Sequence, residues 1–190
     1  MADINEERPP VYPFDLNRPL KQGAAKVQLS ENIYAVLINE DGTKEVYEAD
    51  NIVTDDGDTY YAQRGAGEVP TNAFGIIELG TAGNVPAKTS NRSDLTTPVA
   101  TSQKAHDAGY PQTNDPDTDN PGSSGPDIIT YRTTYTTVEA NAVNIDRIII
   151  TNVTPGAAEP VLAYAVFAGP FTKVGTQTLK VFTNHNLNGV

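Results

Sequence analysis

The sequence predicts an all-β protein, an antiparallel β-sandwich or jelly-roll-like domain with one short helix, an extended N-terminal arm and a long irregular loop. Three observations predict it. Apolar and polar residues alternate with a period of two from residue 26 onward and again beyond residue 127. These stretches are rich in Val, Ile, Tyr and Thr and are bounded by Gly, Pro, Asn and Asp turns. Only one stretch carries the chemistry of a helix start and stop.

Residues 1 to 25 read as the arm. "RPPVYPFDLNRPLKQGAA" holds prolines at 9, 10, 13 and 19, and proline lacks the amide that a sheet ladder needs. The arm also carries Val11, Tyr12, Phe14 and Leu16, apolar side chains for which a solvated tail has no use. These four are the candidate subunit-interface residues, suited to lying extended on another surface.

Residues 26 to 190 read as a single domain. In "ENIYAVLINEDGTKEVYEADNIVT", strands near 32–39 and 43–49 flank Asp41-Gly42, a tight-turn signal, and Tyr34, Val36 and Ile38 share a face. "TDDGDTYYAQRGAG" follows. Thr54 or Asp55 caps a helix whose positive end suits Asp55, Asp56 and Asp58, and Gly65 and Gly67 stop it. "NAFGIIELGTAG" reads as a buried strand over 73–80. Residues 82 to 126 show almost no strand signal, with prolines at 86, 98, 111, 116, 121 and 126; an irregular insertion is expected at about 98–126. From 127, "DIITYRTTYTTVEA" places Ile129, Tyr131, Thr133 and Tyr135 on one face of a strand. "VNIDRIIITNVT", "VLAYAVFAG" and "TQTLKVFTNHNL" complete about eight strands.

Composition narrows function. The chain has no cysteine, which excludes disulfides, thiolate catalysis and Cys-based zinc sites. Its net charge of −11, with 13 scattered basic residues, argues against nucleic acid as a partner. No apolar run approaches the roughly 20 residues of a membrane span, and "MADINEERPP" lacks the features of a secretory signal. No membrane partner is therefore expected.

The motifs for chemistry are sparse. There is no G-x-S-x-G elbow, and His106 and His185 sit in no recognisable triad, reading instead as polar surface residues. "RGAG" and "LGTAG" lack the spacing of a phosphate loop. Asp115, Asp117 and Asp119 match the first three ligand offsets of a calcium loop and are the candidate metal ligands. An EF-hand is rejected, because Asn120 stands at the sixth position and Pro126 at the twelfth. A looser calcium site could recruit Asp107 or Asp127; otherwise the aspartates keep a surface loop solvated, ordered only under a neighbouring subunit. With no Trp and 14 dispersed aromatics, a sugar-stacking platform is not expected. Neither an enzyme nor a cofactor is expected.

One block resembles a family of tailed-bacteriophage virion proteins. "INEDGTKEVYEADNIVTDDGDTYYAQR" followed by "FGIIELGTAGNVPAKTSNRSDLTTP" is similar to that family's hairpin, its N-hydrophobic-V-T/V-D-x-G helix opening, its strand ending in "GTG" or "GTN", its small-x-P step and its "DT" or "DL" segment. The matching positions are Asn51, Val53, Thr54, Asp55 and Gly57, then Leu79, Gly80 and Thr81, then Pro86, Asp94 and Leu95. "IDRIIITNV" and "LAYAVFAGPFTKVGTQTLKVF" resemble its closing strands. The arm and the 98–126 loop lie outside the resemblance. It implies a non-enzymatic virion structural protein, either a capsid decoration (cement) protein or a tail- or baseplate-associated piece. A compact single domain without fibre-like repeats, an apolar arm and an acidic surface suit decoration. That reading expects a homo-oligomer, dimer or trimer, made in the host cytoplasm and bound to the major capsid protein on the outer capsid surface. A calcium- or carbohydrate-binding module is the remote alternative.

Overall fold

The computed structural model describes residues 30–154, 156 and 158–187. Val11, Tyr12, Phe14 and Leu16 lie outside the described residues.

The protein is all-β with one short helix. Its elements are β1 (Ser30–Ile38), β2 (Lys44–Val53), α1 (Asp55–Gly65), β3 (Phe74–Ala82), β4 (Thr97–Pro98), β5 (Lys104–Ala105), β6 (Ile128–Tyr135), β7 (Ala142–Asn152), β8 (Val161–Lys173) and β9 (Thr178–Asn186). The strands form one antiparallel sheet in the order β4-β3-β7-β8-β2-β1-β9-β6, with β5 also on β3.

The β1–β2 turn is longer than a two-residue hairpin, spanning 39–43. Gly42 takes φ +82°, and the Asp41 carboxylate accepts from the Thr43 amide at 2.9 Å and its hydroxyl at 2.7 Å. Tyr34, Val36 and Ile38 do share a face. It is Ile33, Ala35 and Leu37 of β1, however, that enter the main core. Both faces of β1 are covered, so apolar residues occupy both phases of the alternation.

The sheet curls until its two ends meet. Register shifts between β7 and β8 bend it at 142–147. Pro170, which has no amide to donate, falls where β8 has run past its pairing with β2. The meeting is made by the segment expected to be irregular. β5 pairs with β3 through Ile76 and Ile77. Two residues on, the Asp107 amide donates to the Arg132 carbonyl of β6, and Gln112 bridges to Thr130. Tyr135 of β6 crosses the interior and donates to the Ser102 carbonyl at 2.7 Å. Residues 102–112 thus form a stave between β3 and β6.

α1 sits over one end of this barrel-like curl. Thr54 caps it, accepting from the Gly57 amide at 3.1 Å, and Gly67 leaves it at φ +75°. Gly57 lies so close to β8 that a Cβ there would stand 2.3 Å from the Leu162 carbonyl oxygen.

Candidate functional site

Two arrangements gather the polar and aromatic chemistry of the chain. The first is the aspartate-rich loop, which lies across the outer face of β6, β9 and β1. Alternation along β9 puts Lys180, Phe182 and Asn184 on that face. Asn184 accepts from Asn120 of the loop at 3.1 Å, and Phe182 between them is fully buried.

Each of the three candidate metal ligands is already engaged. Asp115 is buried and accepts from the Tyr110 hydroxyl, the Asp117 amide and the Asn120 amide group. Asp117 accepts from Arg132 at 2.7 Å and Lys180 at 2.8 Å. Asp119 pairs with Lys180 at 2.7 Å and also with Lys44. Asp107 completes the set through Arg132 at 2.7 Å and the Thr134 hydroxyl at 2.6 Å. Burial works to raise the Asp117 carboxyl, but the Lys180 hydrogen bond and neighbouring donors outweigh it and hold it below the usual carboxylate range. Hydrogen bonds from Lys180 and then Lys44 do the same for Asp119. Burial first, and Asp115 next, push the Tyr110 phenol up to about 12. A calcium ion here would have to displace ammonium and guanidinium groups from these oxygens. Among the described residues no group of three or more acidic or histidine side chains is placed to hold a metal. The loop expected to stay solvated, or to await a neighbour, is instead sewn onto its own sheet by cations from three strands.

The second arrangement is a groove of about 320 Å³ at the helix end of the curl, lined mainly by apolar surface. Tyr60, Tyr61 and Arg64 of α1 form one wall, Pro111 and Gln112 the other, and Ile129 and Tyr131 of β6 the floor. Arg64 stacks over the Tyr60 ring at 5.6 Å and forms no ion pair among the described residues. Beneath the floor lie both histidines, so the expectation of surface histidines is corrected. His185 is fully buried, with its Nδ1 hydrogen-bonded to the Tyr61 hydroxyl, which also lies 3.1 Å from the Tyr131 hydroxyl. The His106 ring stands 5.2 Å from that of Tyr131, and its Nδ1 lies 3.3 Å from the Thr133 hydroxyl. Burial pushes His106 down to about 4; burial, with His106 adding its charge, pushes His185 down to about 3. Both are neutral at pH 7. Little in the local sequence marks these rings as buried. Period-two alternation does put His185 on the inward phase with Leu179, Val181 and Thr183, and that was the signal available.

No family model, curated protein or solved structure matches the chain.

Four of the positions that carry the phage-protein resemblance, Asp55, Gly80, Asp94 and Leu95, take part in a knot around the 83–95 segment. The Asp55 amide donates to the Lys88 carbonyl at 2.8 Å, tying the start of α1 to the 83–95 segment. Asp94 closes a capping box with Asn91 on a short 3-10 turn at 92–94. Leu95 is buried with Ile149, Val161 and Tyr164. A Cβ on Gly80 would stand 2.3 Å from Leu95 Cδ1. The Tyr164 hydroxyl donates to the Asn84 carbonyl at 3.0 Å and lies 3.2 Å from that of Asp94. No helix among the described residues is long and apolar enough to cross a membrane.

Proposed function

We propose that the chain is a non-enzymatic structural protein of a tailed-phage virion, and within that class a capsid decoration protein that binds and stabilises the head shell. The observation that carries the reading is the knot just described. Residues that resemble the phage family spend their side chains on caps, close backbone approaches and a small core, as befits a shared scaffold. Asp107, Asp117 and Asp119, in the loop outside the resemblance, serve the scaffold too, with their charges answered by the chain's own lysines and arginine.

On this reading the partner is the major capsid protein and the subunit works as a dimer or trimer on the outer capsid surface. It acts by burying arm and surface area across capsomer boundaries, which adds binding free energy to the assembled shell only. A net charge of −11 suits a face turned away from packaged DNA. The test mixes purified protein with undecorated heads and with tails, followed by sedimentation and electron microscopy. Saturable binding to heads that raises their disruption temperature is the expected result. Binding to tails without binding to heads would overturn decoration in favour of the tail-associated alternative.

A further inference from the structure

The groove between α1 and the 111–113 segment has an apolar floor, aromatic walls and one cation without an ion partner among the described residues. We propose that it is the seat of the chain's own N-terminal segment, residues 9–16, in the free subunit.

Three observations point to this occupant. The first is where the chain enters the sheet. Ser30 faces Asn186 on β9, and Asn186 faces Ile128 on β6, so the chain begins β1 two strands from the groove floor at Ile129. Two strand spacings are about 10 Å, and the 16 residues from Phe14 to Ser30 span at most roughly 55 Å. Length is no obstacle. The second is chemistry. "PPVYPF" combines proline-fixed backbone with Val11, Tyr12 and Phe14. Proline-rich extended segments are recognised by aromatic-lined grooves, because the preformed backbone loses little entropy on docking and proline rings stack on aromatic faces. Tyr60, Tyr61 and Tyr131 supply such faces. The third is charge: Asp15 follows Phe14 in sequence and Arg64 lines the groove. A volume of about 320 Å³ sits at the small end of ligand sites, enough for two or three of these side chains.

The proposal does not rest on the virion reading. If both hold, the groove shields the apolar arm until a shell surface competes for it.

The absence of cysteine makes the test clean. In the full-length protein, Phe14→Cys is combined with Thr113→Cys at the groove wall. The reference combines Phe14→Cys with Asp50→Cys, exposed on β2 opposite Asn32 at the start of β1 and on the side of β1 away from the groove. Both target positions are exposed, so a cysteine there leaves the core intact. An undocked arm meets both targets at similar effective concentration, whereas a seated arm favours Thr113→Cys. The expected result is an intrachain disulfide forming at least about tenfold faster with Thr113→Cys than with Asp50→Cys. Equal rates would overturn the proposal, and so would disulfide-linked dimers as the main product, which would make a second copy the occupant. Either failure leaves the virion reading standing, since that is read from head binding alone.

Discussion

Asp117 shows how much one side chain can hold. Its carboxylate, with 9% of the side chain exposed, answers both Arg132 on β6 and Lys180 on β9, two adjacent strands. Replacing it with Asn leaves two partly buried cations sharing fewer acceptors, and a lost charged hydrogen bond costs about 1.5–3 kcal/mol. Asp117→Asn is therefore expected to lower stability by about 2–3 kcal/mol in urea unfolding. Asp58→Asn, at the exposed pair with Lys88, is expected to cost under about 1 kcal/mol. Equal costs would mean that the loop is not held by its charges. None of this was legible in sequence. The three aspartates were visible as a pattern, but the cations on Asp117 and Asp119 lie 15 to 75 residues away, and only the curl of the sheet brings them together.

The elements themselves were far more legible. The strands expected at 32–39 and 43–49 are β1 and β2 to within a few residues, and Thr54 caps α1 as its hydroxyl and the following aspartates imply. Local chemistry decides such features, so local sequence reveals them. The 102–112 stave was invisible for the opposite reason. Its two-residue strand and single bridges make too few local contacts to leave a period, and its pairing partners are distant in sequence. Gly57 marks another limit. Inside a helix Ala is ordinarily better than Gly by about 1 kcal/mol. Here a Cβ would collide with the Leu162 carbonyl and Val53. Gly57→Ala is expected to destabilise by about 1–3 kcal/mol, against the helix preference, as measured by thermal unfolding. A gain in stability would show that α1 can lift off β8 without cost.

For the molecule as a whole, acid acts on groups that the fold holds away from their ordinary protonation. His106 and His185 are held neutral, near 4 and 3, whereas the unfolded chain protonates its histidines near 6.5. Between those values the unfolded state binds more protons, so stability rises with pH across that window and falls as pH drops from 6.5 toward 4. Each histidine contributes a slope of up to about 1.4 kcal/mol per pH unit. Below about 4 the lowered carboxyls of Asp107, Asp117, Asp119 and Glu139 add to the loss, because their stabilisation exists only while they are ionised. Urea midpoints measured from pH 7.5 to 4.5 should fall steadily below 6.5, and His106→Gln should flatten part of that fall. A level profile down to pH 4.5 would mean that the two rings reach water in the native state.

The stave between β3 and β6 has a further consequence. A sheet left open at both ends offers rows of unpaired amides and carbonyls to any passing strand, and such rows seed aggregation. Here β3 gives its outer positions to β4 and β5, and β6 receives Asp107 and Gln112. Among the described residues, the two outer strands therefore turn side chains rather than an open backbone edge to their neighbours, which disfavours strand-to-strand fusion between copies.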